Sequence, residues 1–298
     1  MWRCFDAWSN YNLANTLRVS YTYPLFKKVG NAFVKIYGFN KGLKLKEVNG
    51  KLCFSGCCEI TASMLSGLWF NPYDYVKYLS RSSKGLAYEL LDKFDGVSVS
   101  IDPWDLKTMF VIMFLSRNTD FHKRTVPWVK ALINIVDIEH MEVPEGLDLK
   151  AVGSSYQILQ LNEVLPLLNE VFRKSGKLNN VGLTYRRTFF NAIKEDLLKI
   201  KFVGPKTVYA FALYALGLTT YAPVDRHFAD FLIRNSIADE DFTYPNKKYC
   251  LKYNCLMNSP CPLRKHCLFF KAYEKFNVLT GWVQVVAYYI GKLKRIRT

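Results

Sequence analysis

Acidic residues are scarce in this chain. Asp and Glu number 25 against 41 Lys and Arg in 298 residues, for a formal net charge of +16. Such a shortage of negative charge points to a polyanionic partner, either nucleic acid or an anionic membrane surface. Charge of either sign is itself limited to 22% of residues, while 50% are hydrophobic and 15% aromatic, which excludes general disorder. Internal repeats and low-complexity tracts are absent. The opening Met1-Trp2-Arg3-Cys4-Phe5-Asp6 lacks the apolar run of a secretory leader, so an intracellular location is expected. A clean membrane span is lacking too: Thr207 to Val224 runs eighteen residues without a charge, but Gly217 and Pro223 interrupt it. A buried helix followed by a turn is expected there, in a soluble protein with no membrane partner. Paired Cys-x2-Cys knuckles, the usual mark of zinc, are also missing.

What cysteine there is falls into two groups. Cys250, Cys255, Cys261 and Cys267 are spaced Cys-x4-Cys-x5-Cys-x5-Cys, whereas Cys4, Cys53, Cys57 and Cys58 are scattered through the first sixty residues. Without a leader, disulfides are disfavoured; Cys53, Cys57 and Cys58 read most simply as buried strand residues. The later group suits ligation, with Pro260 and Pro262 around its third member and Arg264, Lys265 and His266 before its fourth. Thiolates accept either a tetrahedral zinc ion or a cubane iron–sulfur cluster, and a set of unligated thiols is the plainer alternative.

The hydrophobic pattern predicts an α+β chain. Strands are expected at Val19–Tyr23, Ala32–Tyr37, Leu43–Lys46 and Leu52–Phe54, with Asn49-Gly50 as a two-residue hairpin turn. From Asp102-Pro103, read as a helix cap, the period becomes helical, with helices expected near 123–137, 156–172, 184–199, 206–217, 226–235 and 268–294. The expected organisation is a small antiparallel β-rich domain over 1–95 and a helical domain over 96–245. A cysteine loop and closing helix follow over 246–298.

The chemistry concentrates in Ile200-Lys201-Phe202-Val203-Gly204-Pro205-Lys206-Thr207 and, beyond the apolar helix, Val224-Asp225-Arg226-His227. A glycine turn that opens a helix aims backbone N–H groups outward, which suits a phosphate. Lys206 then lies in the first helical turn, where the dipole lowers an amine's pKa, and a neutral lysine is a nucleophile for carbon. A solvated or phosphate-binding lysine is the plainer alternative, and the motif favours the nucleophile. Asp225 is placed to fold back towards it and also to cap the helix beginning at Arg226. His227 suits either a local hydrogen bond or a phosphate.

Val203-Gly204-Pro205-Lys206-Thr207 together with Val224-Asp225-Arg226-His227 resembles the helix-hairpin-helix/Gly-Pro-Asp DNA glycosylase superfamily, with the hairpin near 190–225. Further stretches resemble its eukaryotic 8-oxoguanine branch: Phe94-Asp95-Gly96-Val97 with Asp102-Pro103, Phe114 to Thr119, Gly182 to Arg186, and Gly281 to Tyr288. The resemblance covers about residue 94 to the C-terminus. It implies that Lys206 is the Schiff-base nucleophile and Asp225 the carboxylate that stabilises the sugar cation. It implies that Gln284 and Tyr288 hold the flipped base, and that Asn118, Lys123, Tyr185 and Arg186 serve the vacated stack and its orphaned partner. Val203, Gly204 and His227 would meet DNA phosphates. Read without it, Tyr185 and Tyr288 are core aromatics, Asn118 a loop residue and Trp282 packing.

Two departures stand out. Phe202 replaces the hairpin's first glycine, and the four-cysteine segment resembles instead the iron–sulfur loop of the endonuclease III branch. The resemblance therefore implies a 4Fe-4S cluster on Cys250, Cys255, Cys261 and Cys267, with zinc as the alternative. Lys247, Lys248, Lys252, Arg264 and Lys265 around it would face phosphates. The expected function is a bifunctional glycosylase and abasic-site lyase acting as a monomer on double-stranded DNA with an oxidised purine. The alternatives are an endonuclease III-like enzyme for oxidised pyrimidines or mismatched bases, and a non-catalytic iron–sulfur damage sensor.

Overall fold

The structure is a computed structural model that describes residues 1–94, 96–140, 149–176, 178, 180–239, 241–257 and 261–296, with side chains described to residue 292. Asp95 and Pro260, used in the sequence reading, lie outside the described residues.

Five strands form one antiparallel sheet in the order β1-β5-β4-β3-β2: β1 Arg3–Asp6, β2 Phe26–Val29, β3 Ala32–Lys35, β4 Lys44–Val48 and β5 Lys51–Ser55. The Asn49-Gly50 hairpin is as expected, both residues taking positive φ (50° and 71°), as the turn between β4 and β5 requires. One expected strand is not a strand, and two strands, β1 and β2, were not expected. β1 is too short to stand out in the sequence, and Val19–Tyr23 is a turn leading into a 3-10 segment at Tyr23–Leu25. There Pro24 has no N–H for a ladder, and the Ser20 and Thr22 hydroxyls are taken by Ser100. Cys4 and Cys53 face each other across β1 and β5 and are joined by a disulfide, contrary to the expectation of free thiols. Cys57 is half-buried and Cys58 exposed, so neither is a buried strand residue.

Four helices accompany the sheet: α1 Leu13–Arg18, α2 Glu59–Ser66, α3 Tyr73–Val76 and α4 Arg81–Lys93. The body begins with α5 Leu106–Leu115, apolar almost throughout and therefore central. Its cap position is Asp105, not Asp102. The expected helix at 123–137 is a π-turn at Phe121–Thr125 continued by α6 Val126–Leu132. The next, at 156–172, is split into α7 Tyr156–Leu159 and α8 Leu161–Ser175. Then come α9 Leu183–Lys199, α10 Pro205–Tyr214, α11 Arg226–Arg234 and α12 Lys247–Lys252. The closing helix is two, α13 Leu268–Phe276 and α14 Thr280–Ile296, parted at Asn277, whose φ of 47° no helix accommodates. Among the described residues no helix is long and apolar enough to cross a membrane; within Thr207–Val224 the helix stops at Tyr214.

The sheet is pinned to the body by a buried charge cluster. Lys35 Nζ on β3 donates to Asp102 Oδ2 (2.7 Å), Asp105 Oδ2 (2.5 Å) and the Phe39 carbonyl (2.8 Å). Burial opposes the ammonium, but the two carboxylates outweigh it and raise its pKa. One lysine cannot satisfy two carboxylates, so burial and the neighbouring Asp102 push Asp105 up to about 8. At the other end of the chain, fully buried Trp282 donates from its indole to the Val97 carbonyl at 2.8 Å, and it is packing, as expected.

Candidate active site

The turn before α10 keeps the conformation that a glycine would give it. Phe202 takes φ 66°, which costs an L-residue about 1–2 kcal/mol. Its carbonyl is held by Arg117 Nη1 at 2.6 Å, and Lys201 sits over its ring. Val203 is buried and its N–H donates to the Ile200 carbonyl, so the phosphate role expected of it is not available in this arrangement. Gly204 occupies the cap position of α10 with no side chain capping the helix, and Pro205 follows at the first turn. Pro205 has no N–H and the Thr207 N–H donates to the Gly204 carbonyl at 3.1 Å, so the first turn offers few outward donors.

Lys206 is next. Its side chain is largely enclosed, and burial lowers its pKa; Asp225 opposes the shift and Arg117 adds to it. Burial thus shifts the amine in the direction expected of the helix dipole. After α10 the chain reverses at Gly217 (φ 61°) and returns through Pro223 to Asp225. Asp225 Oδ1 caps α11 by accepting from Phe228 N at 2.8 Å. Its Oδ2 faces the Gln284 amide nitrogen at 3.4 Å. Gln284 is buried, and its amide oxygen accepts from the Tyr214 hydroxyl at 3.0 Å.

Lys206, Asp225, Gln284, Tyr288, His227 and Asn118 line one cavity of about 500 Å³. Six residues drawn from four sequence stretches thus line the same cavity. Asn118 takes φ 50°, a left-handed conformation asparagine tolerates better than most residues. His227 packs edge-on against Tyr288, with ring centroids 5.5 Å apart, and Gly291 leaves it room that a Cβ would close.

Two expected residues stand elsewhere, and one is not a DNA contact. Lys123 is exposed on the Phe121–Thr125 turn and does not line the cavity. Tyr185 is 61% exposed at the start of α9. Arg186 is buried: its Nη1 donates to the Leu216 carbonyl at 2.6 Å, its guanidinium lies over Trp69, and burial lowers its pKa to about 10. The reason is helical period. Arg186, Phe189, Phe190 and Ile193 share the buried face of α9, and the neighbouring Arg187 takes the exposed position.

Sequence reasoning missed Val19, Tyr21, Ser116, Asp120, Phe121, Tyr214 and Lys292, all of which line the cavity. Only Lys292 had a signal, one turn beyond Tyr288 and two beyond Gln284 on α14. The rest arrive through tertiary contact, as when Tyr21 meets Phe121 and Tyr214 edge-on.

Cys250, Cys255 and Cys267 are buried and Cys261 half-buried, and none is disulfide-bonded. They share one neighbourhood. Burial first, then Cys261, Cys267 and Cys250, push Cys255 up to about 12, and the Tyr209 hydroxyl lies 3.4 Å from Cys250 Sγ. Lys194, its pKa lowered by burial, feels Cys250, Cys255 and Cys261. Among the described residues no three Cys, His, Asp or Glu side chains are grouped to hold one metal ion. Of the surrounding cations, Lys248, Lys252 and Lys265 are exposed. Lys247 instead reaches the Ile200 carbonyl at 2.9 Å, and Arg264 lies over Phe270.

The solved structure of the Clostridium acetobutylicum 8-oxoguanine glycosylase/lyase with double-stranded DNA containing cytosine opposite 8-oxoG is similar, with TM-score 0.67 and 14% identity. The match covers 96% of this chain and 93% of that one. Its apo form aligns at TM-score 0.63 and 16% identity, covering 94% and 93%. MBOgg1 in complex with a low-affinity DNA ligand aligns at TM-score 0.66 and 14% identity, covering 98% and 96%. No family model matches the sequence, and no curated protein matches it. At this identity the likeness is one of architecture, and almost the whole chain has the fold of these 8-oxoguanine glycosylase/lyases.

Proposed function

We propose that the protein is a bifunctional DNA glycosylase and abasic-site lyase, with 8-oxoguanine in duplex DNA as its substrate. The observation that carries this reading is the facing of Lys206 and Asp225 across one cavity, with the lysine's charged form disfavoured by burial. The reacting bond is inaccessible in stacked DNA, so the nucleotide must be extruded into the cavity. The neutral Lys206 amine attacks C1′ of the sugar, the bond from C1′ to the base breaks, and the base leaves with the bonding electrons and gains a proton. Asp225 stabilises the positive charge on the sugar and, beside the amine, accepts its proton. The sugar ring opens to a Schiff base on Lys206. Loss of a proton from C2′ then expels the 3′-phosphate by β-elimination and nicks the strand. Gln284 and Tyr288 flank the base, Asn118 and exposed Tyr185 suit the vacated stack, and His227 suits phosphate.

The cysteine set fits a 4Fe-4S cluster held by Cys250, Cys255, Cys261 and Cys267. Three of these thiols are buried and Cys261 is half-buried, none is disulfide-bonded, and the other three stand close enough to Cys255 to help raise its pKa. Zinc on the same four thiols is the alternative. When bound, the cluster would supply shape and positive surroundings, with Lys248, Lys252 and Lys265 outward. This cysteine set also favours the second reading, an endonuclease III-like enzyme for oxidised pyrimidines.

Borohydride trapping on duplexes carrying 8-oxoguanine or an oxidised pyrimidine tests both. A reduced crosslink on the first alone supports the primary reading, and on the second alone the other. No crosslink on either DNA leaves a non-catalytic DNA-binding protein.

A further inference from the structure

Asp120 and Lys292 form a second acid–lysine pair in the cavity that holds Lys206 and Asp225. Lys292 Nζ donates to Asp120 Oδ2 at 2.9 Å, and their side chains are 20% and 30% exposed. Asp120 Oδ1 accepts from Lys123 N at 2.9 Å, which caps the turn that follows. Burial opposes the carboxylate's ionisation, but the Lys123 N–H and the Lys292 ammonium outweigh it and hold its pKa down to about 2. The Asp120 carboxylate is therefore ionised across the neutral range. Tyr21, Phe121 and Tyr214, which wall the same cavity, offer mainly ring faces and edges.

We propose that the Asp120–Lys292 pair determines specificity by reading an edge of the extruded base on which a carbonyl stands beside an N–H. This inference rests on the glycosylase reading above. An ammonium has three donors and one is used by Asp120; each carboxylate oxygen, with one bond made, keeps a further lone pair. The pair thus presents a donor and an acceptor side by side, both charged and both fixed from two separate elements. A lactam edge complements them. The edge of undamaged guanine that carries N7 and O6 offers acceptors only and would set its lone pairs against the Asp120 carboxylate. Oxidation at C8 turns N7 into an N–H beside a new carbonyl, the arrangement that the pair accepts. A partly exposed ion pair used only as a staple between α14 and the Phe121–Thr125 turn would contribute little to stability, and it would not need to face the cavity.

The test compares initial rates on two duplexes identical except at one position, where one carries 8-oxoguanine and the other a ready-made abasic site with no base to read. In Lys292→Met and Asp120→Asn the ratio of base excision to abasic-site cleavage should fall roughly tenfold to a hundredfold, as expected for loss of a two-point base contact. Lys292→Arg, which keeps the charge and the donors, should retain the ratio within a few-fold. Thermal melting of each variant is measured alongside. An unchanged ratio in Lys292→Met and Asp120→Asn overturns the inference, and so does a parallel fall on both DNAs with lower melting, the behaviour of a staple. If the wild-type protein cleaves the abasic duplex and excises the lesion, such a failure touches the inference alone. If it does neither, the glycosylase reading fails and this inference with it.

Discussion

Gln284 can meet Asp225 in only one orientation. The carboxylate accepts and cannot donate, so the amide nitrogen must face Oδ2, at 3.4 Å, and the amide oxygen must turn to the Tyr214 hydroxyl, at 3.0 Å. Asp225 is thereby held at both oxygens, one by the cap of α11 and one by Gln284, before any substrate arrives.

Tyr214→Phe removes the hydroxyl that donates to the Gln284 amide oxygen. It leaves a buried amide oxygen without its donor, which should cost about 1–3 kcal/mol of stability, read as a shift in denaturant midpoint at unchanged slope. Gln284→Ala should lower the single-turnover excision rate by about ten- to a hundredfold, because the carboxylate facing the sugar loses its fixed neighbour.

The division of labour between Lys206 and Asp225 is separable. Lys206→Gln should abolish both the borohydride crosslink and strand nicking while lesion binding, measured by gel shift, is kept. Asp225→Asn retains a side chain able to cap α11 but loses the charge, and the rate should fall by about two to three decades. Asp225 raises the lysine's pKa while burial lowers it. Removing that charge should therefore move the rising limb of the pH–rate profile, where Lys206 loses its proton, to lower pH; a limb that stays or moves upward contradicts the assignment.

Stability should decline across the neutral range. Asp105 binds its proton more tightly folded, near 8, than unfolded, near 3.9. The folded state therefore holds the extra proton between those values, and the stabilisation it brings is complete at low pH and lost as pH rises through 8. In Asp105→Asn, which has no proton to lose, denaturant midpoints measured from pH 5 to pH 9 should show a flatter decline than wild type.

The cysteine set has a visible consequence. A protein carrying the cluster should be yellow-brown, with about four irons per chain, and Cys255→Ser should bleach it. A colourless protein with one equivalent of zinc would replace the cluster with a zinc site and leave the fold as described.

How much was legible depended on how local the cause was. Lys206 and Asp225 follow from a turn and a cap written in a few adjacent residues, and the Asn49-Gly50 hairpin needs only two. Gln284 and Tyr288 lie four apart on one helix, and Lys292 continues that row, so it could have been read. Tyr21 and Asp120 could not, because their place in the cavity is set by packing between distant segments. Arg186 was misread because a motif outranked the period of α9, which turns that residue inward. The Cys4–Cys53 pairing depends on the register of β1 against β5, and β1 was too short to be seen.

Arg117 ties together three stretches of chain: its guanidinium reaches the Phe114 carbonyl, Gln160 Oε1 at 2.6 Å and the Phe202 carbonyl at 2.6 Å. A glycine at position 202 would let the turn before α10 close by itself. With phenylalanine there, the turn is unfavourable in isolation and becomes favourable once a residue 85 positions earlier has docked. The turn is thus enforced by tertiary contact with Arg117 at the end of α5, itself held by Gln160 beside α7, rather than by its local sequence. Both Arg117 and Gln160 precede it in the chain, so during synthesis the groups that enforce the turn leave the ribosome before the turn itself.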